Sequence, residues 1–370
     1  MKILEIVFGL SPGGAERFVV DLSNELSKTN EVILLALKED KSNPQNALFY
    51  KSDLSERVKY INLGLLSSAY QFSTMWKVYK AIKMIYPDVV HMHGAGMPKF
   101  CFLANLLLGK KISFIQTIHN DIYRGYTTWI YNILHTTLGR WKMIRFVAIS
   151  ETNYKEQKKR YPRTIVTYIV NGRATLKTTN KINDVKNEIA SFKKTPNTLV
   201  VLHVARCNSQ KNQMLLINSF NKLTAKGKDV ILLIIGKDYD SDLGKSLRTV
   251  ADNNIYFLGT RHNISDYMAN ADLFVLSSTF EGMPITIIEA LLSGVPVVST
   301  PVCGAVDAID GKNGVLSRDF TTESYTVALS KVIDNISYYK TNAQEMKNDT
   351  PYTINTCAKK YIRFFKCAKS

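Results

Sequence analysis

Short apolar runs rich in Val, Ile and Leu alternate along this chain with longer stretches whose apolar positions recur every three or four residues. That alternation points to parallel sheets assembled from βαβ units, because strands buried on both faces read as continuous apolar runs and the helices that cover them as one-sided ones. In the first half, strands are predicted over residues 3–8, 31–37, 58–62, 88–93, 112–119, 146–150 and 164–170, with helical patterns in most of the gaps. Residues 173–198 turn rich in Lys, Asn and Thr, hold one modest helix candidate at 184–193, and read as a linker. The pattern then restarts, with strands over 199–205, 230–235, 254–258, 273–277 and 295–299. The predicted architecture is α/β, with two doubly wound, Rossmann-like domains at residues 1–175 and 176–350. A basic, aromatic helix within 351–370 is expected to pack back on the first domain. In doubly wound sheets ligands sit outside the carboxyl ends of the strands, and two such domains facing each other create a cleft suited to binding.

Composition agrees with that division. A chain of 370 residues, 45% hydrophobic and 21% charged, exceeds what one core usually supports. No run approaches the ~20 apolar residues of a membrane span, and the apolar start at residues 3–10, interrupted by Glu5, is too short for a signal peptide. The five scattered cysteines, Cys101, Cys207, Cys303, Cys357 and Cys367, have no Cys-x-x-Cys spacing, so a reducing cytoplasm is expected. A formal net charge of +17 implies an anionic partner, whether nucleic acid, phosphorylated substrate or acidic membrane. Residues 140–163 concentrate Arg140, Lys142, Arg145, Lys155, Lys158, Lys159, Arg160 and Arg163, interleaved with Trp141, Tyr154 and Tyr161 and preceded by Trp129 and Tyr131. Such a stretch suits a lipid headgroup layer, base stacking, or simply a solvated helix face.

The densest chemical signal runs from Ser277 through Glu281, Gly282, Met283 and Pro284 into the apolar run Ile285 to Ser293, which carries Glu289 and is followed by Gly294. A strand ends at the serines, Pro284 suits the first helical position, and Gly294 suits the position just past the helix end. The N–H groups around Met283 to Ile285 then lie at a helix start, where they and the helix dipole attract phosphate. Glu281 before the helix and Glu289 within it lie ~10 Å apart along it. Carboxylates accept hydrogen bonds and repel phosphate, so two of them around an anion site make sense if each meets hydroxyls, as a sugar and a ribose at either end of a diphosphate supply. Glu289, embedded between Ile288 and Ala290, is otherwise a costly charge. The companion signal is Arg206 and Lys211, directly after the first strand of the second domain. Two cations at a strand's carboxyl end can neutralise a diphosphate, Arg as a fork and Lys as a point charge.

Together these two motifs resemble glycosyltransferase family 4, whose members share the GT-B fold. The family carries an Arg and a Lys after the first strand of the nucleotide domain and two glutamates with seven residues between them, as Glu281 and Glu289 have here. The resemblance implies a retaining transferase that moves a hexose or N-acetylhexosamine from a nucleotide-diphosphate sugar, UDP by family frequency. The acceptor it implies is a glycan or undecaprenyl-diphosphate-linked glycan in cell-surface polysaccharide synthesis. It implies that Arg206 and Lys211 hold the diphosphate, that Glu281 meets the transferred sugar and Glu289 the ribose, and that Thr260 and Arg261 fall where the base is contacted. Gly282, Met283, Pro284 and Ile285 line the phosphate end. In the first domain, Gly13 and Gly14 follow the first strand and look like the family's glycine pair, although their spacing is no dinucleotide fingerprint. His119 ends a predicted strand where the family often places a histidine near the transferred sugar.

No metal or other cofactor is expected. His91 and His93 share a strand face and with His119 invite a zinc reading, but no carboxylate or cysteine has matching ligand spacing. Asp238-Tyr239-Asp240 has an Asp-x-Asp form, yet it falls in a loop where the GT-B family holds no metal. Cys303-Gly304 stands where members often carry a Gly-Gly pair. The basic stretch and an expected lipid-linked acceptor together suggest peripheral attachment to the anionic cytoplasmic face of a membrane. Two other readings are a sugar-nucleotide epimerase or nicotinamide enzyme, with Glu39 or Asp40 on a ribose, and a basic nucleic-acid-binding protein, for which no recognised motif is present.

Overall fold

The structure, a computed structural model, describes residues 1–38, 48–65, 72–94, 96–119, 136–141, 143–347 and 349–369. Glu39, Asp40, Trp129, Tyr131 and Lys142 lie outside them. The chain divides into two compact units, Met1–Ala174 with Pro351–Ser370, and Thr175–Thr350.

The first unit is a seven-stranded sheet in the order β3-β2-β1-β4-β5-β6-β7, and every described pairing is parallel. The strands are β1 (Lys2–Val7), β2 (Glu31–Lys38), β3 (Val58–Leu65), β4 (Val89–His93), β5 (Ser113–Ile118), β6 (Arg145–Ala148) and β7 (Val166–Tyr168), each within three residues of its predicted ends. Side chains alternate between sheet faces, so Leu4, Ile6, Val90, Met92, Phe114 and Phe146 join one core while Glu5 and its register partner His91 face the other way. That other face is covered by the helices Gly14–Leu26 and Ile354–Lys369. The last helix buries Cys357, Tyr361 and Phe365, one per turn, and sends Lys359, Arg363 and Lys366 outward. Its Ala368 carbonyl, otherwise an orphan at a helix end, accepts from Ser113 Oγ at 2.8 Å and Arg145 Nη1 at 2.7 Å.

The second unit is a six-stranded parallel sheet in the order β10-β9-β8-β11-β12-β13. Its strands are β8 (Leu199–Val204), β9 (Val230–Ile235), β10 (Ile255–Gly259), β11 (Leu273–Leu276), β12 (Val297–Ser299) and β13 (Gly314–Leu316). The sequence reading did not anticipate β13. Three residues beginning with glycine carry no periodic signal, yet glycine is required there, since a Cβ on Gly314 would lie 2.0 Å from the Val297 carbonyl oxygen.

The stretch read as a linker is largely built into the second unit. Its helix, Ile182–Phe192, buries Val185 and Ile189, and Thr179 donates from its N–H (2.7 Å) and hydroxyl (2.6 Å) to the buried Asp266. Within the first unit, Arg173 exchanges backbone hydrogen bonds with Tyr352 and Ile354, so the outgoing and returning segments run side by side.

In both sheets the strand order reverses direction once, between β1 and β4 and between β8 and β11. At those two points neighbouring loops leave in opposite directions and open a crevice at the strands' carboxyl ends.

Candidate active site

The second unit's switch point holds the cationic motif and the first glutamate. After β8 the chain enters a single 3-10 turn, Ser209–Lys211, capped by Asn208, whose side chain accepts from the Lys211 N–H at 3.1 Å. Asn212 then takes a left-handed conformation (φ 48°, ψ 48°), tolerable for Asn, and starts the helix Gln213–Ala225. This sharp exit turns Lys211 toward the loop after β11. The two loops are stitched together: Ser277 Oγ donates to the Lys211 carbonyl (2.8 Å), the Thr279 N–H to the Gln210 carbonyl (2.8 Å), and Gln210 Nε2 to the Phe280 carbonyl (2.9 Å). Lys211 Nζ and Ser278 Oγ both donate to Glu281 Oε1, at 2.5 and 2.7 Å. Glu281 is buried and its Oε2 has no hydrogen-bond partner among the described residues. Arg206 is exposed and unpaired among the described residues. These loops therefore offer one unpaired guanidinium, one ammonium and a carboxylate with an oxygen to spare.

The helix after this loop spans Ile285–Ser293. Pro284 stands one residue earlier than expected: with φ −64° and ψ 116° it is the residue before the helix, because the chain must still be extended there to leave the loop. Its carbonyl accepts from Ile287 and Ile288, and no side chain caps the helix start. The N–H groups of Ile285 and Thr286 are thus the unclaimed donors of the first turn. Gly282, Met283, Pro284 and Ile285 are all buried, and Gly304 (φ +36°) packs so closely that a Cβ would lie 2.6 Å from both the Gly282 oxygen and Met283 Cα. Gly294 ends the helix in the left-handed conformation, as anticipated. Glu289 is buried in the middle of that helix.

The remaining predicted contacts lie apart from this group. Thr260 is exposed after β10. Arg261 is held by its neighbours, donating from Nε to Tyr267 Oη (3.0 Å) and from Nη2 to Glu188 Oε1 (3.3 Å). Asp238 and Asp240 are exposed, while Tyr239 between them is buried and donates to the Ala205 carbonyl at 3.2 Å.

In the first unit, Gly13 is the residue before the helix Gly14–Leu26, and its φ of −171° is ordinary extended backbone. The Glu16 carboxylate folds back over it, since a Cβ on Gly13 would meet Glu16 Oε2 at 2.2 Å. An acid in the third helical position covers the helix start that the sequence reading offered to phosphate. His119, just past β5, is partly buried and joins His91 and His93 in a group whose fourth member, Glu5, the sequence reading missed. Glu5 Oε2 lies 2.5 Å from His93 Nε2 and 2.9 Å from His91 Nδ1, and His93 Nδ1 lies 2.9 Å from His119 Nε2. Glu5 therefore supplies the carboxylate that sequence spacing had not put beside the histidines, and with His91 and His93 it forms a compact cluster of potential ligands. The two separations from Glu5, 2.5 and 2.9 Å, are shorter than the ~3.3 Å between neighbouring ligands on a tetrahedral zinc with bonds near 2.0 Å. The signal that could have found Glu5 was its place as the one charge inside the apolar run of the first strand.

Burial pushes the Glu5 carboxyl up, but His91 and then His93 outweigh it and bring it down to about 2. Burial, then the neighbouring His91, lowers His93 from 6.5 to about 4 against the opposing pull of Glu5. Burial, followed by His93 and His91, takes His119 well below its ordinary value. An unfolded chain therefore binds these protons first, so stability is present at neutral pH and falls as pH drops from 6.5 toward 4, and further as Glu5 titrates. All three tryptophans, Trp76, Trp129 and Trp141, belong to the first unit, so their fluorescence reports its unfolding. Between pH 7 and 4.5 the unfolding free energy is expected to drop by roughly 2–3 kcal/mol from His93 alone. Equal values at the two pH points contradict the network.

Comparison with known proteins bears on the family and the fold. Residues 12–175 match the family described as Glycosyltransferase Family 4, and residues 198–335 match Glycosyl transferases group 1. An uncharacterized glycosyltransferase of Methanocaldococcus jannaschii is 28% identical over 67% of this chain and 68% of its own length. The Escherichia coli UDP-Gal:alpha-D-GlcNAc-diphosphoundecaprenol alpha-1,3-galactosyltransferase is 24% identical over 74% of this chain and 73% of its own. Among solved structures, Anabaena HepE in complex with UDP and glucose superposes with a TM-score of 0.79 at 18% identity, covering 99% of this chain and all of that one. With both halves matched and the same pair of parallel sheets, this chain is a glycosyltransferase with the GT-B fold and belongs to family 4.

Proposed function

We propose that this enzyme transfers a hexose or N-acetylhexosamine from a UDP-sugar to a glycan or lipid-linked glycan, with retention of anomeric configuration, in cell-surface polysaccharide synthesis. The observation that carries the donor reading is the Lys211–Glu281 pair beside an uncapped, buried helix start at the β8/β11 switch point. Arg206, Lys211 and the N–H groups of Ile285 and Thr286 would stabilise charge developing on the departing diphosphate. Glu281, held by Lys211 and Ser278 through one oxygen, offers the other to a sugar hydroxyl, and the buried Glu289 is assigned to the ribose. These side chains supply the positive charge the leaving group needs, so no metal is called upon. The nucleotide is suggested by HepE, whose structure contains UDP and glucose, and the lipid-linked acceptor by the name of the E. coli relative. Lys211→Ala removes the ammonium and leaves Glu281 buried without its counter-charge. A charged hydrogen bond of about 1.5–3 kcal/mol corresponds to a rise of roughly 10- to 150-fold in the Kd for UDP-glucose, measured by calorimetric titration. Unchanged affinity contradicts the donor reading.

Peripheral attachment to an anionic membrane face is part of this reading, and the structure favours a different surface for it from the one the sequence suggested. Within residues 140–163, Tyr161 is buried and stacks on Phe146, leaving Trp141 as the well-exposed aromatic of that stretch. The helix Phe72–Ile85 presents a fuller combination: Phe72, Trp76 and Met84 exposed together with Lys77, Lys80 and Lys83, and no acidic residue. Helix Met97–Leu108, packed beside it, adds exposed Leu106 and Leu107. Apolar groups that enter the headgroup layer among lysines that meet its charge suit an anionic bilayer. Reversing Lys77, Lys80 and Lys83 to Glu is expected to weaken cosedimentation with phosphatidylglycerol vesicles by at least roughly 100-fold, at about 1 kcal/mol per lysine, and to leave UDP-glucose affinity intact. Undiminished vesicle binding contradicts this surface.

A further inference from the structure

The Glu5 cluster lies at the first unit's switch point, and its hydrogen bonds determine where protons sit. Glu5 is fully buried on β1, opposite His91 in register, and His93 shares its sheet face two residues on. On one side His91 Nε2 lies 2.7 Å from Thr117 Oγ1, which lies 2.8 Å from Tyr361 Oη on the last helix, so the carboxylate is anchored through three elements. On the other side the chain runs Glu5, His93, His119. Phe18 packs edge-on against both His93 and His119, with ring centroids 6.3 and 5.5 Å away, and shields the chain from water.

The protons follow from donor and acceptor counts. An ionised carboxylate only accepts, so His93 Nε2 carries the hydrogen in its 2.5 Å bond to Glu5. Burial, with His91 nearby, keeps His93 neutral near pH 7, so its Nδ1 is a bare lone pair and must accept from His119 Nε2–H at 2.9 Å. His119, also held neutral by its surroundings, is left with a lone pair on Nδ1. That atom is buried and has no hydrogen-bond partner among the described residues. A buried acceptor without a donor is costly and calls for one from outside.

We propose that Glu5 and His93 are positioning residues that fix His119 as its Nε2–H tautomer, so that Nδ1 is left as a hydrogen-bond acceptor for a hydroxyl of a bound sugar substrate. The identity of that hydroxyl rests on the donor reading above. The tautomer does not. A histidine fixed the other way would present an N–H and select an acceptor atom, so the two buried residues decide which kind of group His119 recognises.

Long-range imidazole 1H–15N correlation spectra of the full-length protein at pH 7, assigned with His119→Gln, report the tautomer without any substrate. The expected result is His119 protonated at Nε2 alone, with Nδ1 shifting when UDP-glucose is added. Glu5→Gln replaces an acceptor-only carboxylate with an amide that can present either C=O or N–H to His93, and is expected to give a mixed His119 tautomer. It is also expected to lower kcat for UDP release from UDP-glucose at least about tenfold, with KM changed by no more than about twofold, as loss of a hydrogen-bond partner behind a functional imidazole does. A wild-type His119 that carries its proton on Nδ1, or on both nitrogens, overturns the proposal even if Glu5→Gln fails to fold. A folded Glu5→Gln with unchanged tautomer and kcat also overturns it. The expected wild-type tautomer without turnover of UDP-glucose upholds the positioning role and moves the failure to the donor reading.

Discussion

Parallel pairing is the constraint on which everything else here depends. Because every described strand in both sheets runs the same way as its neighbours, each must be followed by a crossover, and all the loops at the strands' carboxyl ends gather along one edge of their sheet. Reversal of strand order at β1/β4 and at β8/β11 then opens that edge at one place in each unit. In the second unit the loops after β8 and β11 bring Lys211 to Glu281 across 70 residues of sequence. In the first, β1 and β4 bring Glu5 to His91 and His93 across 86 and 88 residues, and His119 just past β5 meets His93. The chemistry lies where the topology puts loose ends side by side.

The two sites solve the problem of buried charge differently. Glu281 is answered by a lysine and a serine on one oxygen, and Arg206 stays exposed, so that site keeps capacity for an anion and for hydroxyls. Glu5 has no lysine or arginine beside it among the described residues; its charge is met by the His93 imidazole, with His91 close by, and the surrounding burial keeps His93 and His119 neutral. The returning last helix completes that arrangement, since Tyr361 closes the branch through Thr117 and the same helix covers the sheet face beneath it.

Much of this was legible in the sequence for physical reasons that can be named. Buried parallel strands such as β1, β2, β8 and β9 give dense Val, Ile and Leu runs, and of the thirteen strands among the described residues twelve stood out while the three-residue β13 did not. The helix Ile285–Ser293 announced both ends through Pro284 and Gly294, with the proline one residue outside rather than inside. Contacts at long range were less visible. Nothing local in residues 3–8 says that Glu5 is opposite His91, because register depends on which strands become neighbours. The same limit hid Glu16 folding over Gly13 and the docking of Arg261 on Glu188 and Tyr267. It also hid the burial of Tyr161 within the basic stretch.

A crystal structure of the protein with UDP-glucose tests the account most directly. The diphosphate is expected against the N–H groups of Ile285 and Thr286 with Arg206 turned onto it, the glucose hydroxyls at Glu281 Oε2, and the ribose at Glu289. A nucleotide bound instead to the Gly13–Gly14 loop of the first unit, or a diphosphate that contacts neither Arg206 nor Lys211, would contradict the assignment of the donor site.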